Sequence, residues 1–153
     1  MTGSIIQWNL RGHNANRPNL ELLDSKYNPF VICLQETMLK DGNITFKGFE
    51  PHHKPGTVDA LGRAHGGVSI YVKSNLPQSK IALNTNLQAI AIKITLHTTI
   101  TICSLYLPPS EPVSRSALDS LYQELPKPCL IVGDFNAHNH LWGGQDNTDT
   151  WVT

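Results

Sequence analysis

The stretch Pro128-Cys129-Leu130-Ile131-Val132-Gly133-Asp134-Phe135-Asn136-Ala137-His138-Asn139-His140-Leu141-Trp142-Gly143 constrains this chain most. Cys129 to Val132 is an apolar run opened by Pro128 and closed by Gly133, the pattern of a short buried strand, and polar groups crowd immediately beyond it. If extended backbone continues past Gly133, Asp134 and Asn136 project from one face while Phe135 turns the other way into the core. A carboxylate and an amide then share one pocket. Gly, Asp and Asn also satisfy turn backbones locally, so Gly133 to Asn136 taken alone reads equally well as a plain turn.

With 153 residues the chain fits one domain, 1–153, large enough to bury a sizeable core. No apolar run approaches the roughly 20 residues that span a bilayer, and Met1-Thr2-Gly3-Ser4 leads straight into a strand without a basic leader. The expectation is an intracellular protein, nuclear or cytoplasmic, and not a secreted one. Cys33, Cys103 and Cys129 are odd in number, lack metal-type spacing and each sit in an apolar run, where a free thiol behaves as a small hydrophobe. Twelve basic residues balance twelve acidic ones. A global positive field of the kind that holds a protein on nucleic acid non-specifically is therefore excluded, and with it a packaging or scanning role. An enzyme gripping a few phosphates is not. Arg11, His13 and Arg17, with Lys54, Arg63 and His65, are the candidate local cations, and scattered surface charge is the plainer reading for most of them.

Ile5, Ile6 and Trp8 within Ser4 to Asn9 predict a first strand with Asn9 at its tip. Leu20, Leu22, Leu23 and Tyr27 fall at mainly helical spacing and predict a helix over 16–27, with Pro18 in its first turn and Asn28-Pro29 as its stop. Phe30 to Leu34 is a continuous apolar run, hence a fully buried strand, followed by Gln35 and Glu36. A strand, helix, strand unit whose strands end in polar residues lines those residues along one rim. Lys40 to Ala64 predicts a strand over 44–49 and then a long loop, in which His52 and His53 are a solvated pair rather than metal ligands. Gly66 to Lys73 is a strand. Leu87 to Leu96 and Thr99 to Leu107 alternate and predict a hairpin through His97-Thr98. Ser114 to Leu125 is an amphipathic helix ended by Pro126. The whole suits an α+β fold, a two-layer β sandwich flanked by helices.

Several of these stretches carry a family likeness. Gly133-Asp134-Phe135-Asn136-Ala137-His138 followed by Trp142-Gly143 resembles the signature of the endonuclease/exonuclease/phosphatase superfamily, in the form worn by the apurinic-endonuclease-like domains of non-LTR retrotransposons. Gln7-Trp8-Asn9 and Val31-Ile32-Cys33-Leu34-Gln35-Glu36-Thr37 look like its first two motifs. Gly66-Gly67-Val68 and Tyr106-Leu107-Pro108-Pro109 are similar to two more. The resemblance implies a DNase I-like sandwich and Mg²⁺-dependent nicking of DNA to leave a 3′ hydroxyl for priming, with a reverse transcriptase on the same polypeptide in relatives. It implies Glu36 as the principal metal ligand, with Asn9 orienting the site and sharing the metal. Asp134 would orient or deprotonate the attacking water. Tyr106 and Asn136 would donate hydrogen bonds to the phosphate, and Arg11 would contact the substrate.

The chemistry is coherent with those residue types. Phosphodiester hydrolysis needs a cation on the phosphoryl oxygens and a base for the nucleophile. Oxygen ligands in low number suit Mg²⁺ or Mn²⁺, and the lack of clustered Cys or paired His argues against zinc. The family completes its site with a further aspartate and a Ser-Asp-His motif, whereas this sequence reads Asp149-Thr150-Trp151-Val152-Thr153 at its end. The expectation is a domain lacking its C-terminal third, with the second sheet incomplete, activity weakened or lost, and apolar surface open to self-association. His138 and His140 are expected to position the loop beneath Trp142, not to replace the missing histidine. The alternatives are a non-catalytic remnant with residual metal or nucleic-acid binding, and a phosphomonoesterase of the same superfamily.

Overall fold

A computed structural model describes residues 3–41 and 44–137, together with the backbone of 151–152. In chain order the elements are β1 (Ile5–Asn9), α1 (His13–Tyr27), β2 (Val31–Gln35), β3 (Phe49–Lys54), β4 (Thr57–Val58), β5 (Ala64–His65), β6 (Val68–Lys73), β7 (Gln78–Ile81), β8 (Gln88–Thr95), β9 (Thr99–Tyr106), β10 (Val113–Ser114), α2 (Arg115–Glu124), β11 (Cys129–Asp134) and β12 (Trp151–Val152). Two four-stranded sheets dominate, ordered β1-β2-β6-β3 and β11-β9-β8-β7, with two-stranded pairs β4-β5 and β10-β12 beside them. β1 and β2 run parallel, as do β9 and β11, and the 88–95 and 99–106 strands form the expected antiparallel hairpin.

Period-2 alternation sorts the side chains into three apolar layers. Val31, Cys33, Val68, Ile70 and Val72 of the first sheet meet Ile90, Ile92, Ile94 and Ile102 of the second, forming the core between the sheets. Ile32, Leu34 and Tyr71 face the other way and pack with Leu20 of α1. Ala89, Ala91, Cys103 and Leu105 likewise pack outward against Leu121 and Leu125, the latter just beyond α2. Because β2 is covered on both faces, all five of its residues are buried, which explains its unbroken apolar run. Cys33 and Cys103 are buried free thiols. No helix among the described residues is long and apolar enough to cross a membrane.

The structure departs from the sequence reading in several places. The expected strand over 44–49 is a loop whose Ile44 and Phe46 are nevertheless buried; a single isolated antiparallel bridge joins Phe46 to Phe49, where the strand itself begins. Phe46 stacks on Tyr71 at 5.6 Å, so its apolar character serves a packing contact and not a ladder. β3 is the sheet edge, where Pro51 and its missing N–H are tolerated. His52 and His53 lie in that strand and are not a solvated pair: His52 Nε2 is 2.7 Å from Gln78 Oε1 and His53 Nδ1 is 2.6 Å from Ser69 Oγ. Helix α1 begins at His13, three residues early, so Pro18 sits inside it beyond the first turn. Asn28 ends it in the left-handed conformation expected of a terminal Asn.

Candidate active site

The ends of β1, β2, β9 and β11 meet on one rim. The parallel ladder of β1 and β2 continues past both strands: Leu10 N–H donates to Gln35 O (3.2 Å), Gly12 N–H to Glu36 O (2.8 Å) and His13 N–H to Thr37 O (2.9 Å). Glu36 thus leaves its strand on a backbone already tied to the start of α1. On its other side, Thr37 and Met38 N–H donate to the carbonyls of Gly67 and Gly66. Gly67 has φ +90° and a Cβ there would stand 2.5 Å from Thr37 Oγ1, so the glycine is required by the approach of the Glu36 loop. Three non-glycine residues on the rim are held in the left-handed region, Arg11 (φ +47°), Glu36 (+49°) and Asn136 (+43°). Such residues cost about 1 kcal/mol or more each and persist where surrounding structure over-determines them.

Asn9 is the centre of the cluster. Its Nδ2 donates to Glu36 Oε1 at 2.9 Å and to Asp134 Oδ2 at 2.5 Å, so one amide joins carboxylates from the two sheets. The second oxygen of Asp134, Oδ1, accepts the backbone N–H of Asn136 at 3.0 Å. Tyr106 lies directly across from Asp134 in the parallel register and is almost fully buried. Burial, and after it the neighbouring Glu36 carboxylate with which it hydrogen bonds, push its phenol well above the ordinary tyrosine range. It remains a hydrogen-bond donor at neutral pH.

Asn136 and Phe135 depart from the expected geometry. β11 runs through Gly133 and ends at Asp134, so Asn136 is not a second strand residue on the same face but the turn residue that the plainer reading allowed. Its Nδ2 donates to Leu107 O at 2.8 Å and clips the loop after β11 to the loop after β9. Phe135 is exposed rather than turned into the core. Gly133 is needed because a Cβ would run into the carbonyl oxygen of Leu105 on β9.

Of the six candidate cations, His13 is buried with Nε2 2.5 Å from Tyr71 Oη, and burial lowers its pKa. Arg17 pairs with Glu21, Arg63 and His65 with Asp59, and Lys54 donates to Leu87 O. Arg11 is exposed and has no ion-pair partner among the described residues. His138, His140 and Trp142 lie outside the described residues.

The donor set suits a hard cation. Glu36 and Asp134 supply carboxylate oxygens, and the buried Oδ1 of Asn9 has no hydrogen-bond partner. Among the described residues no three His, Cys, Asp or Glu side chains gather, so this is an oxygen set of low number. Mg²⁺, which keeps several of its waters, is served by such a set.

Residues 6–152 match the family described as "Endonuclease/Exonuclease/phosphatase family". This chain belongs to it. Family members generally depend on a divalent metal. Among curated proteins the chain is similar to the RNA-directed DNA polymerase from mobile element jockey of Drosophila funebris, 29% identical over 146 residues. It is equally similar to the probable RNA-directed DNA polymerase from transposon X-element of Drosophila melanogaster, 29% identical over 147 residues. The matches take in 93% and 94% of this chain but only 16% of either polymerase. Among solved structures, the endonuclease domain of TRAS1, a telomere-specific non-LTR retrotransposon, superposes with a TM-score of 0.70 at 21% identity, over 95% of this chain and 66% of that one. The AP endonuclease LMAP of Leishmania major gives 0.65 at 19% identity, over 88% and 55%. The fold of the family is thus the α+β sandwich seen here.

Sequence reasoning passed over one part of the site's surroundings. Gln35 and Ser104 are completely buried and bonded to each other at 2.9 Å, 69 residues apart in sequence. A glutamine ending an otherwise apolar run was the one visible signal.

Proposed function

We propose that this chain is a metal-dependent DNA-nicking domain that hydrolyses a phosphodiester to leave a 3′ hydroxyl. As in the polymerases it resembles, it would serve a reverse transcriptase on the same polypeptide. The observation that carries this reading is the amide of Asn9 bonded to both Glu36 and Asp134, which gathers two carboxylates from different sheets onto one rim beside a protonated tyrosine.

Glu36 and the free Oδ1 of Asn9 would hold Mg²⁺, or Mn²⁺ in its place. A divalent ion bound there supplies positive charge against the phosphoryl oxygens. Asp134 is fixed by one hydrogen bond to each oxygen, and its remaining lone pairs are oriented to take the proton of an attacking water. A phenol that stays protonated cannot act as the base, so Tyr106 would turn its single O–H from the Glu36 carboxylate to the phosphate once substrate is bound. Asn136 keeps one of its two side-chain N–H groups for the same purpose, the other being held by Leu107. Arg11 would meet a flanking phosphate.

Supercoiled plasmid incubated with the purified chain and Mg²⁺ should be converted to open circles, and Asp134→Ala or Glu36→Ala should each lower the rate about a hundredfold or more. Nicking that survives both substitutions would overturn the assignment. Phosphate release from a soluble monoester without nicking would place the chain with the family's phosphatases. Mg²⁺ binding lost in Glu36→Ala, with neither activity, would mark a non-catalytic relative.

A further inference from the structure

The candidate site is divided between two sheets, Asn9 and Glu36 coming from the first and Tyr106 and Asp134 from the second. Its geometry therefore depends on the distance and sliding of one sheet against the other. Apolar packing between them is non-directional and leaves that offset loosely specified. A hydrogen bond defines a separation to within a few tenths of an ångström.

One side-chain link of this kind lies directly beneath the rim. Gln35 faces inward with Val31 and Cys33, and Ser104 faces inward with Ile102 and Tyr106. Gln35 Nε2 donates to Ser104 Oγ at 2.9 Å, and that hydroxyl donates in turn to Leu34 O at 3.2 Å, so Ser104 of the second sheet is bonded twice to β2 of the first. On its other side, Gln35 Oε1 accepts Gln7 Nε2 of β1 at 2.5 Å. Every buried polar atom of Gln35 and Ser104 is satisfied. The three strands so joined are three of the four that carry the site, β11 with Asp134 being the fourth: Gln7 is two residues before Asn9, Gln35 one before Glu36, and Ser104 two before Tyr106.

We propose that Gln35 and Ser104 are positioning residues, a buried polar tie that holds the two sheets at the offset the rim needs. This rests on the nicking function proposed above, but its structural half stands without it. A buried polar network that is fully satisfied specifies one arrangement where an apolar core of equal volume tolerates several. Groups that must act together within about half an ångström require such support beneath them.

The test uses Gln35→Met, which keeps volume and removes the link, and Ser104→Ala, with Ser104→Thr as the variant that restores a hydroxyl. Asn9 Nδ2 reports the rim directly through its side-chain resonances in a ¹H–¹⁵N spectrum, identified as the pair absent from Asn9→Ala. The expected result is folded Gln35→Met and Ser104→Ala proteins in which those resonances shift, Mg²⁺ binding weakens, and kcat for nicking falls on the order of tenfold to a hundredfold while KM is kept. Ser104→Thr should recover the wild-type spectrum. Unmoved Asn9 resonances in folded Gln35→Met would overturn the proposal even if the wild type nicks DNA. Absence of nicking in the wild type, with the resonances shifting as described, would overturn the nuclease reading and leave the tie standing. Should Gln35→Met fail to fold, the Ser104→Ala and Ser104→Thr pair decides the question on the same readouts.

Discussion

At the scale of single residues, Asn9 is the position on which the site turns. An asparagine can donate two hydrogen bonds from one nitrogen while presenting an oxygen, and here both donors go to carboxylates and the oxygen is left free. Aspartate is nearly isosteric but supplies no donor and adds a third negative charge. Asn9→Asp should therefore be about 1–3 kcal/mol less stable than the wild type in EDTA, by urea denaturation, because two charged acceptors lose their donor and face a like charge. Added Mg²⁺ should recover more stability in the variant than in the wild type. Equal stability in EDTA would mean that the amide does not hold the two acids together. Asn9, Glu36 and Asp134 were all legible in the sequence as polar residues ending apolar runs. The special backbone of Asn136 and Glu36 was not, since a left-handed φ at a non-glycine residue leaves no pattern in composition or spacing.

At the scale of elements, β11 shows why its motif reads as it does. Gly133 sits opposite Leu105 in a parallel ladder so close that no side chain fits, and the next residue is Asp134. The glycine thus brings β11 against β9 and sets the height at which Asp134 leaves the strand, level with Tyr106. Gly133→Ala should cost about 3 kcal/mol or more, since the obstacle is backbone and not a side chain that can rotate away. The same substitution should depress nicking in whatever fraction folds. A Gly133→Ala protein with wild-type melting and activity would show that the two strands can separate here at no cost. Element identity was mostly readable because periods of 2 and 3.6 are local properties. The exception, residues 44–54, failed because Ile44 and Phe46 are apolar for packing against Tyr71 and their neighbours, while the true strand, with Pro51, His52 and His53, has the composition of a loop.

At the scale of the whole molecule, burial sets a window of pH in which the fold is most stable. His13 and His53 have pKa values lowered from 6.5 chiefly by burial, so below that value the unfolded chain binds protons that the folded one does not, and stability is lost as pH falls. The thiols act on the other limb. Burial raises Cys33 and pushes Cys103 from 9.0 up to about 12, so above pH 9 the unfolded state alone releases their protons and stability falls as pH rises. Tyr71, raised by burial, steepens the decline further up. Melting temperature should be flat between these limbs and drop outside them, and Cys33→Val should flatten the alkaline one. An alkaline limb unchanged in Cys33→Val would show that the thiol is solvated in the folded protein.

By itself the sequence determined both helices and the longer strands outside 44–54, the polar tips of four strands, the burial of Cys33 and Cys103 though not the half-buried Cys129, and the family likeness, because each is written in residues close together along the chain. Tertiary structure alone decided that Asn9 lies between carboxylates 27 and 125 residues away. It also decided that Gln35 reaches Ser104 across the sandwich and that, of the six candidate cations, all but Arg11 have partners of their own among the described residues. Local periodicity tells which face a side chain takes. How far that face lies from another sheet is set by packing over the whole core, and the chemistry of this rim depends on that distance.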